Sequence, residues 1–165
     1  MLAPLAVAMM IALSSLDAGL RTPASPNGIV SFEFAGDRET AVRMLEAWGG
    51  PGRRDAARSM RLDFVFLVAY AIGLALLCAR AADHARAARS RLAAPGALLA
   101  WGQLAAGGLD AIENLALLRV LGGSSHAAWP ALAAACAGPK FALVGAGLFY
   151  LASFGVVRLR DRRAA

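Results

Sequence analysis

Cysteine and histidine are scarce in this chain, with two of each among 165 residues. Cys78 and Cys136 match no CxxC or zinc-ligand spacing, and they fall near opposite ends of separate apolar segments, which argues against a disulfide. His84 and His126 lie in different connections without a second histidine at helical spacing, so no metal or other cofactor is predicted. Nucleophile-elbow, Walker, HExxH and dinucleotide-binding motifs are absent, which excludes the enzyme classes that carry them.

Lysine is almost missing as well, since Lys140 is the one lysine among 17 basic residues. The net charge of +6 could suit a nucleic-acid partner. However, the arginines separate apolar segments instead of forming one basic face with aromatic side chains between them, so nucleic acid is excluded. Arginine in place of lysine, with abundant alanine and glycine, is typical of a GC-rich bacterial genome.

Long apolar runs make up most of what is present. The chain is 59% hydrophobic with a mean hydropathy of +0.57, whereas soluble domains are about 45–50% apolar. Four runs approach or exceed the ~20 residues that a membrane-crossing helix needs. They are 2–20, 60–79, 92–118 and 130–157. The sequence therefore predicts an all-α fold, a four-helix transmembrane bundle that forms a single membrane domain, 1–165, in the lipid bilayer.

The first run could instead be a cleaved secretory signal. Its start carries no lysine or arginine, and Asp17 interrupts its end. A retained first helix is therefore the preferred interpretation.

Membrane orientation follows from the arginines in the short connections. The 80–91 connection and the tail after Val157 together carry eight closely spaced arginines. The opposite side carries nine basic residues, but these are spread among many acids. The density of positive charge places the 80–91 connection and the C-terminus in the cytoplasm. With four spans the N-terminus is cytoplasmic too, and a multi-pass protein of the bacterial inner membrane is predicted.

The one long connection, 21–58, is predicted to hold an external amphipathic helix between spans 1 and 2. Proline and glycine open it as a loop, and the mixed segment 29–34 is interpreted as extended. Asp37 then resembles an N-cap, and Asp37–Trp48 is expected to be helical and to end at the Gly-Gly-Pro that follows. Its apolar stripe consists of Val42, Leu45 and Trp48. This helix is expected to lie on the membrane surface or to cap the bundle, with plain packing favoured over a binding role.

The ionisable residues of the four runs crowd towards one end. A charge at the centre of a membrane helix costs about 2.5–3.5 kcal/mol, so such groups usually have a partner or a function. On a helix, residues three, four and seven apart share a face, and alternate threading brings the polar faces to one side of the membrane. The candidate ligand-binding or buried polar residues are Asp63, Asp110, Glu113, Asn114 and Lys140, followed by Asp17 and Tyr70.

Several interpretations of this cluster stay open. The preferred function is a polar acidic pocket near the outer leaflet that handles a proton, a cation or a small amphiphilic ligand. Lysine–carboxylate pairs could also serve only to fix helix register. A structural or assembly role beside another membrane protein is a further alternative. Less favoured is an intramembrane enzyme with Asp110 or Glu113 as general acid or base, assisted by Tyr70 or Lys140.

Five short segments stand out from the apolar background. They are Phe32-Glu33-Phe34-Ala35-Gly36, Ala47-Trp48-Gly49, Leu62-Asp63-Phe64 with Tyr70, Leu109-Asp110-Ala111-Ile112-Glu113-Asn114, and Lys140-Phe141. Together they resemble a family of small bacterial four-span integral membrane proteins without an assigned activity. The resemblance covers most of the chain and implies four membrane spans, but it implies no activity, cofactor or site residue.

Overall fold

A computed structural model describes residues 16–164 of the chain, with side chains up to Arg158. These residues contain one turn of 3-10 helix, Ala18–Leu20, and a short helix, α1, Ile29–Glu33. Three long helices follow, α2 (Arg38–Ala87), α3 (Ala93–Leu121) and α4 (Ala128–Ala164). Within the described range the helices pack as a bundle and no sheet is present, so the predicted all-α class is confirmed.

The last three predicted apolar runs fall within α2, α3 and α4. Two helices of the described chain, Arg38–Ala87 and Ala128–Arg158, are long and apolar enough to cross a membrane. The first predicted run, 2–20, lies outside the described residues except for its last five.

Helix α2 begins as predicted and bends where the sequence predicted an end. The Asp37 carboxylate accepts the backbone N–H three residues along at 2.8 Å and so caps the helix. Gly49 then adopts a φ of +59°, a left-handed conformation that favours glycine, and Pro51 occupies the first turn of the helix that resumes. Helix α2 therefore has two limbs, 38–48 and 50–87, and the second limb contains the predicted membrane run.

The first limb of α2 caps one end of the bundle. The Trp48 side chain is buried, and its indole N–H donates to the Leu20 carbonyl oxygen at 2.7 Å and to Ser25 Oγ at 2.9 Å. Phe32 of α1 packs edge-on against the Trp48 ring, with 5.1 Å between the ring centroids. Leu117 of α3 completes the same buried cluster. The sequence predicted that this helix either lies on the membrane surface or caps the bundle, and in the described residues it caps the bundle.

The predicted extended segment at 29–34 is wrong. Ile29–Glu33 is helical because the Asp17 carboxylate accepts the Ile29 N–H at 2.7 Å, which satisfies a donor at the helix start. Gly28 makes this possible, since its φ is +58° and a Cβ there would collide with the Asp17 carboxylate. The helical conformation buries Glu33 against the bundle.

Helix α3 lies at the centre, because it packs against both α2 and α4 while those two have little contact with each other. The close approach of α2 and α3 depends on Gly107, where a Cβ would lie 2.7 Å from the Cβ of Ala71. This arrangement leaves a space between α2 and α4, and α1 borders it at one end.

Candidate ligand-binding site

Lys140 is the centre of a buried polar cluster. Its Nζ atom lies 3.1 Å from Asp110 Oδ1, 2.9 Å from Glu113 Oε1 and 3.5 Å from Glu33 Oε2. The Lys140 and Glu113 side chains are only 7% and 0% exposed, so water has little access to this ion pair. Buried charges are tolerated only when they are paired and hydrogen-bonded, and these contacts supply that pairing.

Helix periodicity explains why α3 supplies so much of the cluster. Residues three, four and seven apart share a helix face, so Gln103, Asp110, Glu113 and Asn114 all point into the bundle and are buried. The same spacing brings Asp63 and Tyr70 of α2 to one wall of the space beside α3.

A second set of hydrogen bonds extends the cluster into α2. The Tyr70 hydroxyl donates to Asp110 Oδ2 at 2.8 Å, so the Asp110 carboxylate accepts hydrogen bonds from both Tyr70 and Lys140. The Asn114 side-chain amide donates to Asp63 Oδ2 at 2.6 Å. The structure thus brings together six of the seven residues singled out from the sequence, namely Asp63, Tyr70, Asp110, Glu113, Asn114 and Lys140.

Asp17 is the seventh residue, and it lies apart from the cluster. Its carboxylate accepts the Ile29 N–H and pairs with Arg21 Nε at 3.2 Å. Asp17 therefore serves the start of α1 and does not line the space between α2 and α4.

Glu33 belongs to the cluster but was missed in the sequence, because its segment was expected to be extended. A single acid between Phe32 and Phe34 was the available signal, since an isolated carboxylate in an apolar segment usually has a partner. Burial raises the pKa of the Glu33 carboxyl from 4.5 to about 8, with Lys140 opposing the shift. Its Oε2 atom is buried without a hydrogen-bond partner among the described residues, which fits a carboxyl that is protonated at neutral pH.

A cavity of about 390 Å³ opens beside the cluster, between α2 and α4. Its polar end is formed by Glu33, Asp63, Tyr70, Asp110 and Lys140. Its apolar walls are formed by Phe66, Leu74, Phe141, Val144 and Leu148. A volume above ~300 Å³ with apolar walls and a few convergent polar groups is typical of a small-molecule site.

The charges at this site do not balance. Four carboxyl groups, those of Glu33, Asp63, Asp110 and Glu113, surround the single ammonium of Lys140. Even with Glu33 protonated, three acids face one cation. Glu113 Oε2 is also buried without a hydrogen-bond partner in the described part of the chain. Asp63 and Asp110, which line the cavity, can therefore accept hydrogen bonds or positive charge from a ligand, whereas Glu113 does not line it.

Among residues 16–158, no group of three or more histidine, cysteine or acidic side chains is arranged to hold a metal ion. The Lys140 ammonium occupies the position between Asp110 and Glu113 that a cation would need. Both cysteines are buried and reduced, in agreement with the expectation that they do not pair.

Comparison of the chain with protein-family models, with curated proteins and with solved structures gives no significant match.

Proposed function

We propose that this protein is a four-span protein of the bacterial inner membrane, with both termini in the cytoplasm, that binds a small amphiphile with a positively charged head. The observation that carries this proposal is the cavity between α2 and α4. It joins an acidic end with an excess of carboxylates to a set of apolar walls.

Exposed apolar side chains support the membrane location. In the most apolar 18-residue stretches of α2 and α4, only 28% and 17% are buried in the bundle. Large side chains such as Leu98, Trp101 and Phe149 are 74%, 74% and 75% exposed. Soluble monomers rarely expose contiguous apolar patches of this kind, whereas a lipid-facing surface requires them.

The acidic end selects the head of the ligand. Asp110 and Glu113 are neutralised in part by Lys140, whereas the hydrogen bond that Asp63 accepts within residues 16–158 comes from the neutral amide of Asn114. An ammonium head beside Asp63 gains a charge-assisted hydrogen bond. The rings of Phe66 and Tyr70 line the same cavity and offer cation–π contacts, while the Phe141 ring already lies 4.6 Å from Lys140 Nζ.

The apolar walls select the tail. Leu74 on α2 and Val144 and Leu148 on α4 extend the cavity by one or two helix turns beyond Tyr70 and Lys140. An alkyl chain laid along these side chains is removed from water at about 25 cal/mol per Å² of apolar surface. A bare inorganic cation would leave these walls without an occupant.

Proton handling is the second candidate, and Glu33 favours it. A buried carboxyl with a pKa near 8, adjacent to Lys140, exchanges its proton within the physiological range. The assembly alternative has less support, because the predicted stripe is largely covered by the chain itself, with Leu45 and Trp48 buried.

The ligand proposal is tested by replacing Asp63 with asparagine. Purified protein in lipid nanodiscs is titrated with decylammonium, with empty nanodiscs subtracting the partition into lipid. Asp63→Asn retains an acceptor for Asn114 but removes the free negative charge, so decylammonium should bind about tenfold more weakly or worse. Isothermal titration calorimetry gives the affinity.

Two controls make the ligand test specific. Asp55→Asn removes an exposed carboxylate of the same helix, which pairs with Arg58, and should leave the affinity unchanged. Decanoate has an apolar tail of similar length but a negative head, and should not bind. Equal binding of decanoate and decylammonium, or an unchanged affinity in Asp63→Asn, would contradict the proposal.

A pH dependence of stability follows from Glu33. Its folded-state pKa of about 8 exceeds its ordinary value of 4.5, so the folded protein holds a proton that the unfolded chain releases. The Glu33 carboxyl therefore makes the free energy of unfolding fall as pH rises from 4.5 to about 8. The Glu33→Gln variant should lose this part of the dependence, which melting temperatures from about pH 5 to about pH 9 would measure.

The control for the pH experiment is Glu39→Gln, because the Glu39 side chain is 85% exposed and lies outside the cluster. This variant should follow the pH profile of the unmodified protein. If Glu33→Gln followed it too, the proton on Glu33 would have no influence on stability.

A further inference from the structure

A second cavity, of about 160 Å³, lies at the capped end of the bundle, where Arg38 and Arg53 line it together with apolar side chains such as Val42, Leu45 and Val120. It is bordered by both limbs of α2 beside the bend, by the end of α3 and by the turn that leads into α4. Its polar lining consists of Arg38, Arg53, Ser124 and His126, and no acidic side chain from residues 16–158 lines it. Its charge is therefore opposite to that of the acidic cavity.

Arg53 is held in place for binding. Its Nε–H donates to the Leu45 carbonyl oxygen at 2.8 Å, and the side chain lines the cavity. Arg38, the first residue of α2, supplies the second guanidinium. Paired guanidinium groups suit phosphate because their planar arrays of N–H donors match its oxygens.

The α3–α4 turn adds two neutral donors. Ser124 Oγ accepts the Trp129 indole N–H at 3.1 Å, so its hydroxyl proton is free to donate to a ligand. His126 Nδ1 accepts the Ala128 N–H at 3.3 Å, which assigns the ring proton of the neutral imidazole to Nε2.

The fold keeps this turn in place. Gly123 has a φ of +87° and ends α3, and the Ser124 N–H returns to the Arg119 carbonyl oxygen at 3.0 Å. Helix α4 begins at Ala128 and contributes Pro130 to the cavity lining, so the positive end of its dipole lies beside the site. Two guanidinium groups and two neutral donors thus converge on one concave surface.

We propose that this cavity binds a phosphate group, carried either by a phospholipid head at the membrane surface or by free phosphate. The site shares no lining residue with the acidic cavity. It can therefore be tested whether or not that cavity binds an amphiphile.

The test measures binding to the purified full-length protein in phosphate-free detergent. Three probes are titrated by calorimetry: inorganic phosphate, dihexanoyl phosphatidylglycerol and dihexanoylglycerol, which lacks the phosphate. The Arg38→Gln/Arg53→Gln variant should bind the phosphate-bearing probes about tenfold more weakly or worse, since each guanidinium supplies charge-assisted hydrogen bonds. Tighter binding of the phospholipid than of inorganic phosphate identifies a lipid head, and the reverse identifies free phosphate.

The matched control is Arg43→Gln/Arg58→Gln, which removes two exposed arginines of the same helix that pair with Glu39 and Asp55. It should bind like the unmodified protein. Ser124→Ala, which removes only a hydroxyl, provides a second variant if loss of the Arg53–Leu45 contact prevents folding, and it should also weaken phosphate binding. Equal losses in the control and the site variant, binding of dihexanoylglycerol as tight as that of the phospholipid, or no binding of either phosphate-bearing probe would overturn the proposal.

Discussion

Replacing Lys140 with methionine is expected to lower the free energy of unfolding by about 3–5 kcal/mol. The substitution removes the cation that, among the described side chains, pairs with Asp110 and Glu113, while both acids stay buried. Burying unpaired carboxylates is far more costly than burying the pair, because no water replaces the ammonium. Unfolding in mixed micelles of dodecyl maltoside and sodium dodecyl sulfate, followed by circular dichroism, measures the change.

Two further variants separate this effect from a general loss of positive charge. Arg58→Met removes a cation that is 67% exposed, and it should change stability by only about 0–1 kcal/mol. Glu113→Gln combined with Lys140→Met should be less destabilising than the sum of the single changes, by about 0.5–3 kcal/mol, because the two side chains are in contact. Equal effects of Lys140→Met and Arg58→Met would show that the cluster does not depend on its lysine.

Replacing Trp48 with alanine is expected to cost about 3–5 kcal/mol of unfolding free energy. The indole is only 6% exposed, packs against Phe32 and donates hydrogen bonds to Leu20 and Ser25. Its removal leaves a cavity under the cap and leaves Ser25 Oγ without that donor. The same micelle titration measures the loss.

The control for Trp48 is Trp101→Ala. Trp101 is 74% exposed, and the change should stay within about ±0.5 kcal/mol, as for ordinary surface positions. Trp48→Phe keeps most of the packing but removes the indole N–H, so its loss of unfolding free energy should lie between those of Trp48→Ala and Trp101→Ala. A small effect of Trp48→Ala would mean that the first limb of α2 lies on the membrane surface and not on the bundle.

The helices themselves could be predicted from the sequence, because hydropathy and helical periodicity are local properties of the chain. Asp37 as an N-cap was also predictable, since its carboxylate acts only three residues away. The helix face that carries Asp110, Glu113 and Asn114 followed from the same periodicity, and the structure buries all three side chains.

The contacts within the site could not be predicted in the same way. Lys140 is separated from Asp110 by 30 residues, and from Glu33 by many more, so their distances depend on how the helices pack. Glu33 was missed because a short helix formed where the local sequence suggested an extended segment, with Asp17 supplying the decisive hydrogen bond from outside that segment.

Apolar runs and helical spacing were therefore enough to specify an all-α chain and the polar faces of its helices, because both depend on residues within a few turns of one another. Only the packed chain decided that the first limb of α2 covers the bundle, that α2 and α4 stand apart around an acidic cavity, and that Arg38 and His126 line a second one. These features arise where the chain reverses direction and where two helices approach closely, as at Gly107. The helix positions there are set by how side chains that are distant in sequence pack against each other.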